Sequence, residues 1–211
     1  MEKNSQFITF EGGEGTGKST VLPLVCKELK QEFPNKEFFI SREPGGKDLK
    51  FSEKIRALIF ENDDIDPLTE AFLFQASRRE HVVKVLKPAL QAEKIVLCDR
   101  FTDSSLIYQG IVEGIEIETI KTLNNIATSN LTPKLTFVFD LDPVIGQKRI
   151  ESCSEKSLNH FDKEKIDFHR KIQQAYLNLA KTNSSRYQII DASKPIDAIV
   201  EEIVSIIKTI I

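Results

Sequence analysis

Gly12-Gly13-Glu14-Gly15-Thr16-Gly17-Lys18-Ser19 fits the spacing G-x-x-x-x-G-K-[ST]. Glycines let a backbone turn tightly enough for its N–H groups to converge on phosphate oxygens. The helix expected to follow adds the positive end of its dipole. At this spacing Lys18 can bridge the β- and γ-phosphates of a nucleoside triphosphate, and the Ser19 hydroxyl can ligate Mg²⁺. This phosphate-binding loop follows a short apolar run, Phe7 to Phe10, and precedes a helical pattern, which is the context the chemistry requires.

A second set of residues suits a second anion. Arg42 and Arg100 fall just beyond apolar runs, and Arg56 and Arg78 fall on the helices that follow. A triphosphate does not need so many guanidinium forks, so a phosphate-bearing co-substrate is expected. Asp66-Pro67 suits an N-cap and first helical residue, and in that helix Phe74 and Arg78 stand at i and i+4. A ring and a guanidinium so placed could stack on a planar base and bond its edge. Ser105, Tyr108 and Gln109 stand at i, i+3 and i+4, and the Gln109 amide offers a donor and an acceptor. The same spacings also suit a core Phe74 and a solvated Gln109.

The elements that would carry these residues alternate along the chain. Phe7–Phe10, Phe38–Ile40, Ile95–Cys98, Thr136–Phe139 and Tyr187–Ile190 are short apolar runs suited to strands buried on both faces. Helical patterns lie between and after them, over Thr20–Glu32, Ser52–Phe60, Pro67–Leu90, Glu116–Ser129, Lys163–Thr182 and Pro195–Ile211. The alternation predicts a layered α/β domain around a parallel sheet, with helices on both faces. Ligands in such folds bind beyond the carboxyl ends of the strands, where Glu11, Arg42, Asp99, Asp140 and Asp191 stand. Pro23 should distort the first helix.

The 211 residues suit one domain spanning 1–211, with 40% hydrophobic and 29% charged residues in the range of a globular protein. A net charge of -3 argues against a broad nucleic-acid footprint. No apolar stretch approaches the roughly 20 residues of a membrane span. Cys26, Cys98 and Cys153 are far apart, without zinc-ligand spacing, and read as free thiols. Met1 to Gln6 is polar and is not a signal peptide, so a cytoplasmic protein is expected. A guanine-reading N-K-x-D segment is not visible, because Asn35-Lys36 is followed by Glu37-Phe38, which argues against a GTP-binding switch. Another nucleotide or deoxynucleoside kinase is the nearer rival.

FITFEGGEGTGKST, SREPGG, LFQASRREH and DRFTDSSLIYQG closely resemble the signature segments of bacterial thymidylate (dTMP) kinases, in the same order and over nearly the whole chain. The resemblance implies a three-layer P-loop α/β fold with a five-stranded parallel sheet flanked by helices on both faces. It implies phosphoryl transfer from ATP to dTMP, giving dTDP and ADP for dTTP biosynthesis, by a homodimer that uses Mg²⁺. It implies ATP contacts at Gly12, Gly13, Glu14, Gly15, Thr16, Gly17, Lys18, Ser19, Thr20, Arg149 and Ala192. It implies dTMP contacts at Glu14, Arg42, Glu43, Pro44, Arg56, Phe74, Ser77, Arg78, Arg100, Ser105, Tyr108 and Gln109. Lys18, Arg100, Asp99, Glu43 and Arg149 would form the catalytic set, with Ser19 and Asp99 toward the metal.

The chain departs from the pattern in three places. Phe101 stands where the family has tyrosine, the loop between Gly46 and Arg56 is longer, and the expected lid, at about 149–162, holds no arginine from Glu151 to Phe161. Arg149, helped by Lys148 or Lys156, is the candidate lid-side cation. Its alternatives are stacking on adenine and complementing its own helix dipole.

Overall fold

The β-branched and aromatic runs become strands because each is covered on both sides. The computed structural model describes residues 6–46, 49–62, 64–152, 161 and 164–211. Strands β1 (Phe7–Gly12), β2 (Phe38–Arg42), β3 (Ile95–Asp99), β4 (Leu135–Asp140) and β5 (Tyr187–Asp191) form one parallel sheet in the order β2-β3-β1-β4-β5. Alternate side chains of β1 enter different cores. Ile8 and Phe10 pack with Val21, Val25 and Leu29 of α1 (Lys18–Glu32) and with Ile199, Ile203 and Ile207 of α9 (Ile196–Lys208). Phe7 faces the other way, onto Val82, Leu86 and Phe101. On that second face Val138 of β4 meets Ile172 and Tyr176 of α8 (Ile166–Thr182).

The register aligns the functional ends. Phe10 of β1 pairs with Asp99 of β3, and Arg42 of β2 pairs with the same Asp99. Glu11, Arg42 and Asp99 therefore leave the sheet side by side. The strand expectations and the parallel order of the sheet agree with the structure.

Helix boundaries differ in ways that have local causes. Helix α1 begins at Lys18 rather than Thr20, because Gly17 takes φ 88° and closes the loop directly into the helix. Pro23 does not interrupt it. Buried Val21, Leu22, Val25, Cys26 and Leu29 hold the helix across the one missing bond. Helix α2 covers Lys50–Phe60. The expected helix over 67–90 is three pieces: α3 (Pro67–His81), a π-helical segment Val82–Leu86, and α4 (Lys87–Gln91). Pro88 lies just beyond the π segment, and the carbonyl four residues before a proline must move away from the ring.

After β3, α5 (Thr102–Ser105) passes into a second π-helical segment, Leu106–Val112. Helix α6 covers Ile117–Thr128, between the cap residues Glu116 and Ser129. Helix α7 (Pro143–Glu151) starts from Asp142, whose side chain accepts from Val144 N at 2.8 Å. Helix α8 starts at Ile166, so Lys165 is its cap and not part of its first turn. Cys26 and Cys98 are buried and free. Cys153, Lys156, Asp162 and Lys163, with most of the expected lid, lie outside the described residues. No helix among the described residues is long and apolar enough to cross a membrane.

Candidate functional site

The loop after β1 closes on itself around its lysine. Lys18 Nζ donates to Gly12 O at 2.8 Å, Gly13 O at 2.9 Å and Thr16 Oγ1 at 3.1 Å. Burial lowers its pKa to about 8, and Arg100 nearby adds to the effect. Gly15 is required twice over. Its φ is 68°, and a Cβ there would sit 2.2 Å from the Gly146 carbonyl oxygen of α7. This close approach ties the loop to α7. Ser19 and Thr20 remain exposed in the first turn of α1.

Beside the loop, Arg100 takes φ 65°, a left-handed conformation of the strained kind that clusters at functional sites. Its Nη2 donates to Glu14 Oε2 at 2.5 Å, its Nη1 reaches Ser104 Oγ at 3.3 Å, and its guanidinium lies 5.3 Å from the Tyr108 ring centroid. Tyr108 OH donates to Glu14 Oε1 at 2.9 Å.

Underneath lies Glu11, which is fully buried and accepts from Phe101 N at 2.7 Å, Ser104 Oγ at 2.6 Å and Tyr176 OH at 2.8 Å. Burial first, then the nearby Asp103, push its carboxyl up to about 7. Glu11, Ser104 and Tyr176 form the floor beneath Arg100. The sequence points to Glu11 only by its place at a strand end, without a role, and does not single out Ser104 or Tyr176. Glu11 and Tyr176 are 165 residues apart in the chain, so no local pattern could pair them.

Asp99 stands at the β3 end. Its Oδ1 is buried and has no hydrogen-bond partner among the described residues. A carboxylate oxygen held out of water without a donor is suited to a cation.

At the other end, Arg78 is 3% exposed and well bonded. Its Nε donates to Glu43 Oε2 at 2.7 Å, its Nη2 to Phe101 O at 3.0 Å, and its Nη1 to Ser105 Oγ at 3.0 Å and Asn124 Oδ1 at 2.6 Å. Glu43 is held on its other oxygen by His81 Nδ1 at 3.0 Å, and His81 Nε2 meets Ser41 Oγ at 2.5 Å. Burial alone would push the Glu43 carboxyl up, but Arg78 and His81 outweigh it and hold it below the ordinary range. One Glu43 oxygen thus orients Arg78, while His81 holds the other.

Arg42 Nη1 and Arg56 Nη1 donate to Pro44 O at 2.9 and 3.3 Å, and Arg42 Nη2 pairs with Glu53 at 2.7 Å. Arg149 rests both Nη atoms on Ala192 O, each at 3.3 Å.

These residues border one cavity of about 490 Å³, in the size range of small-ligand pockets. It is lined by Glu14, Gly15, Thr16, Gly17, Lys18, Ser19, Thr20, Arg42, Glu43, Pro44, Arg56, Phe74, Arg78, Asp99, Arg100, Ser105, Tyr108, Gln109 and Arg149, all expected at the site. Gly12, Gly13, Ser77 and Ala192 stand behind this lining. Ser77 turns its hydroxyl to accept from Gly45 N at 3.1 Å, which makes it a brace for the 43–46 loop.

The wall also contains Phe60 and Phe161, which were not singled out from the sequence. Phe161 meets Tyr108 edge-on, with ring centroids 5.3 Å apart. An isolated aromatic at the end of a polar stretch was the only signal available for it. Gln109 is 2% exposed and lies in the π-helical segment, not solvated on an α-helix.

The thymidylate kinase family profile matches residues 10–203 of the chain. A thymidylate kinase of Ligilactobacillus salivarius is 43% identical over 96% of this chain and 97% of its own length. One of Staphylococcus haemolyticus is 44% identical, over 96% and 97%. The crystal structure of thymidylate kinase from Ehrlichia chaffeensis superposes with a TM-score of 0.77 at 32% identity, covering 96% of this chain and 98% of that one.

Proposed function

The chain belongs to the thymidylate kinase family, and we propose a division of labour for the cavity in that family's reaction. The protein phosphorylates dTMP with ATP, giving dTDP and ADP toward dTTP. The observation that carries the assignment of residues is the continuity of the cavity. Lys18, Ser19, Arg100, Phe74, Arg78 and Gln109 all line this one space.

The ATP phosphates lie over Gly13 to Thr20, with Lys18 turned from the loop carbonyls to the β- and γ-phosphates. Arg42, Arg56 and Arg100 face the acceptor phosphate. Phe74 stacks on thymine, while Arg78 and Gln109 meet its polar edge. Glu14 faces the sugar and Glu43 acts by holding Arg78.

Ser19 and Asp99 fit Mg²⁺, because one offers an exposed hydroxyl and the other an unpartnered buried oxygen. When bound, the ion neutralises charge on the phosphates. The acceptor is a phosphate monoester with a second pKa of about 6, so its oxygen is anionic at neutral pH and needs no general base. The chain's own work is alignment and charge stabilisation by Lys18 and Arg100.

A cytoplasmic homodimer belongs to the same reading. Phe51 and Leu58 on α2, Phe72 on α3 and Ile126 on α6 are at least half exposed, as suits a face covered by a second copy. The test of function is ADP release measured across nucleoside monophosphates and thymidine. Turnover should be highest with dTMP, and higher turnover with thymidine or dCMP would overturn the assignment.

A further inference from the structure

A thymine edge presents an acceptor at O4 and a donor at N3–H. Cytosine presents the reverse, an amino donor and an unprotonated N3. Arg78 can only donate, so its polarity toward the base is fixed by its chemistry. Gln109 has no such constraint. Its amide has a donor end and an acceptor end of nearly equal shape, and a free rotation of the group would let it read either base.

The structure removes that freedom from behind. Gln109 Nε2 donates to Glu70 Oε1 at 2.9 Å and reaches Glu113 Oε1 at 3.4 Å. Both of these bonds leave from the amide nitrogen, and Gln109 is one of the residues that line the cavity. Rotating the amide would set its oxygen against the same carboxyl groups.

The elements are arranged to keep the pair in place. Glu70 is 6% exposed in the first turn of α3, where the helix dipole favours a negative charge. Gln109 lies within the π-helical segment and Glu113 caps its end, so both approach Glu70 from one side. Burial first, and Glu70 second, push the Glu113 carboxyl up to about 8. Glu113 therefore keeps its proton at neutral pH, and its side-chain hydrogen bond with Glu70 occupies that proton, leaving none for a rotated Gln109 oxygen.

We infer that Glu70 and Glu113 are positioning residues for base specificity: they bind the Gln109 nitrogen so that its oxygen alone faces the base and accepts N3–H. The inference rests on the reading of Gln109 as a base contact. Neither carboxyl group touches the substrate.

The experiment is a mutant cycle with dTMP and dCMP as substrates. Gln109→Ala should raise the KM for dTMP about tenfold, as expected for one lost hydrogen bond in a closed pocket. The paired substitution Glu70→Gln with Glu113→Gln, in otherwise unchanged protein, should raise the KM for dTMP by a similar factor. It should narrow the preference for dTMP over dCMP and leave the KM for ATP unchanged. In the Gln109→Ala background the same pair should change the dTMP KM less than about twofold.

A full-sized effect of the pair in that background would show that it acts by another route and overturn the inference. An unchanged base preference in the folded paired variant would do the same. If Gln109→Ala itself leaves the dTMP KM intact, the base contact fails first and the inference fails with it.

Should the paired variant not fold, the unsubstituted protein gives a second readout. The Gln109 carboxamide protons, assigned by their loss in Gln109→Ala, should be protected from exchange in the absence of nucleotide. Exchange at the rate of a free side-chain amide would overturn the inference.

Discussion

Arg78 and Glu43 meet at 2.7 Å with side chains only 3% and 4% exposed. A guanidinium so enclosed is held by its partner rather than by water. Glu43→Ala should therefore cost about 3–5 kcal/mol, because it leaves an uncompensated buried charge. Urea unfolding should show the loss as a lower midpoint at constant slope. The Glu43 carboxyl is held below its ordinary range, so its stabilisation is complete above the unfolded value and fades as pH falls through the lowered one. The variant should accordingly lose less stability on acidification than the parent protein. A loss under about 1 kcal/mol would mean that Arg78 finds another partner.

That pair also marks where the sequence stops being informative. The phosphate loop and the strands were readable because glycine spacing and apolar runs are local signals. Phe74, Arg78 and Gln109 were found as a set by helical spacing and by resemblance. Their surroundings were not found. Arg78 is fixed by Glu43, Phe101 and Asn124, which come from three different segments. The floor beneath Arg100 joins β1, α5 and α8. The π-helical turn that buries Gln109 leaves no mark in hydrophobic periodicity, because its extra residue shifts the phase of the pattern locally.

Lys18 should make ATP binding depend on pH. In the free protein its pKa is lowered to about 8, whereas the phosphates of bound ATP favour the charged form. Above pH 8 binding must therefore take up a proton, and affinity should fall as pH rises. The folding linkage has the opposite sign. The folded state holds fewer protons than the unfolded chain between about 8 and the ordinary lysine value, so stability rises with pH across that window. Calorimetry in two buffers of different ionisation enthalpy measures the uptake directly. Absence of uptake at pH 9 would show that Lys18 stays charged in the free protein. Lys18→Ala should lower turnover by about 10³, the scale of a lost transition-state charge contact.

Asp99→Asn should separate metal binding from folding. Oδ1 of Asp99 accepts no bond from the described residues, so replacing that oxygen with the amide nitrogen takes no acceptor away from a protein donor. The Mg²⁺ concentration giving half-maximal rate should rise about tenfold or more, as for other metal-shell substitutions. The midpoint of thermal unfolding without nucleotide should not fall. An unchanged Mg²⁺ requirement would remove Asp99 from the metal's surroundings.

Arg149 presents a choice between two roles that kinetics can separate. A cation approaching the transferred phosphate from the side opposite Lys18 would complete the charge clamp around its equatorial oxygens. Both Nη atoms of Arg149, however, are tethered to Ala192 O at 3.3 Å, beyond the end of β5. Ala192 N in turn donates to Asp140 O at 2.8 Å, which fixes that carbonyl to the sheet. A guanidinium tethered along its edge keeps its flat face free, and a flat face suits stacking on a purine. Arg149→Ala is therefore expected to raise the KM for ATP about tenfold while the single-turnover rate at saturating ATP changes less than about threefold. The KM for dTMP should hold. If the single-turnover rate instead falls by roughly 10², Arg149 leaves its tether in the ternary complex and stabilises the transition state. Lys148→Ala, one residue earlier on α7, is the matched control for lost helix-end charge and should leave both constants within about twofold.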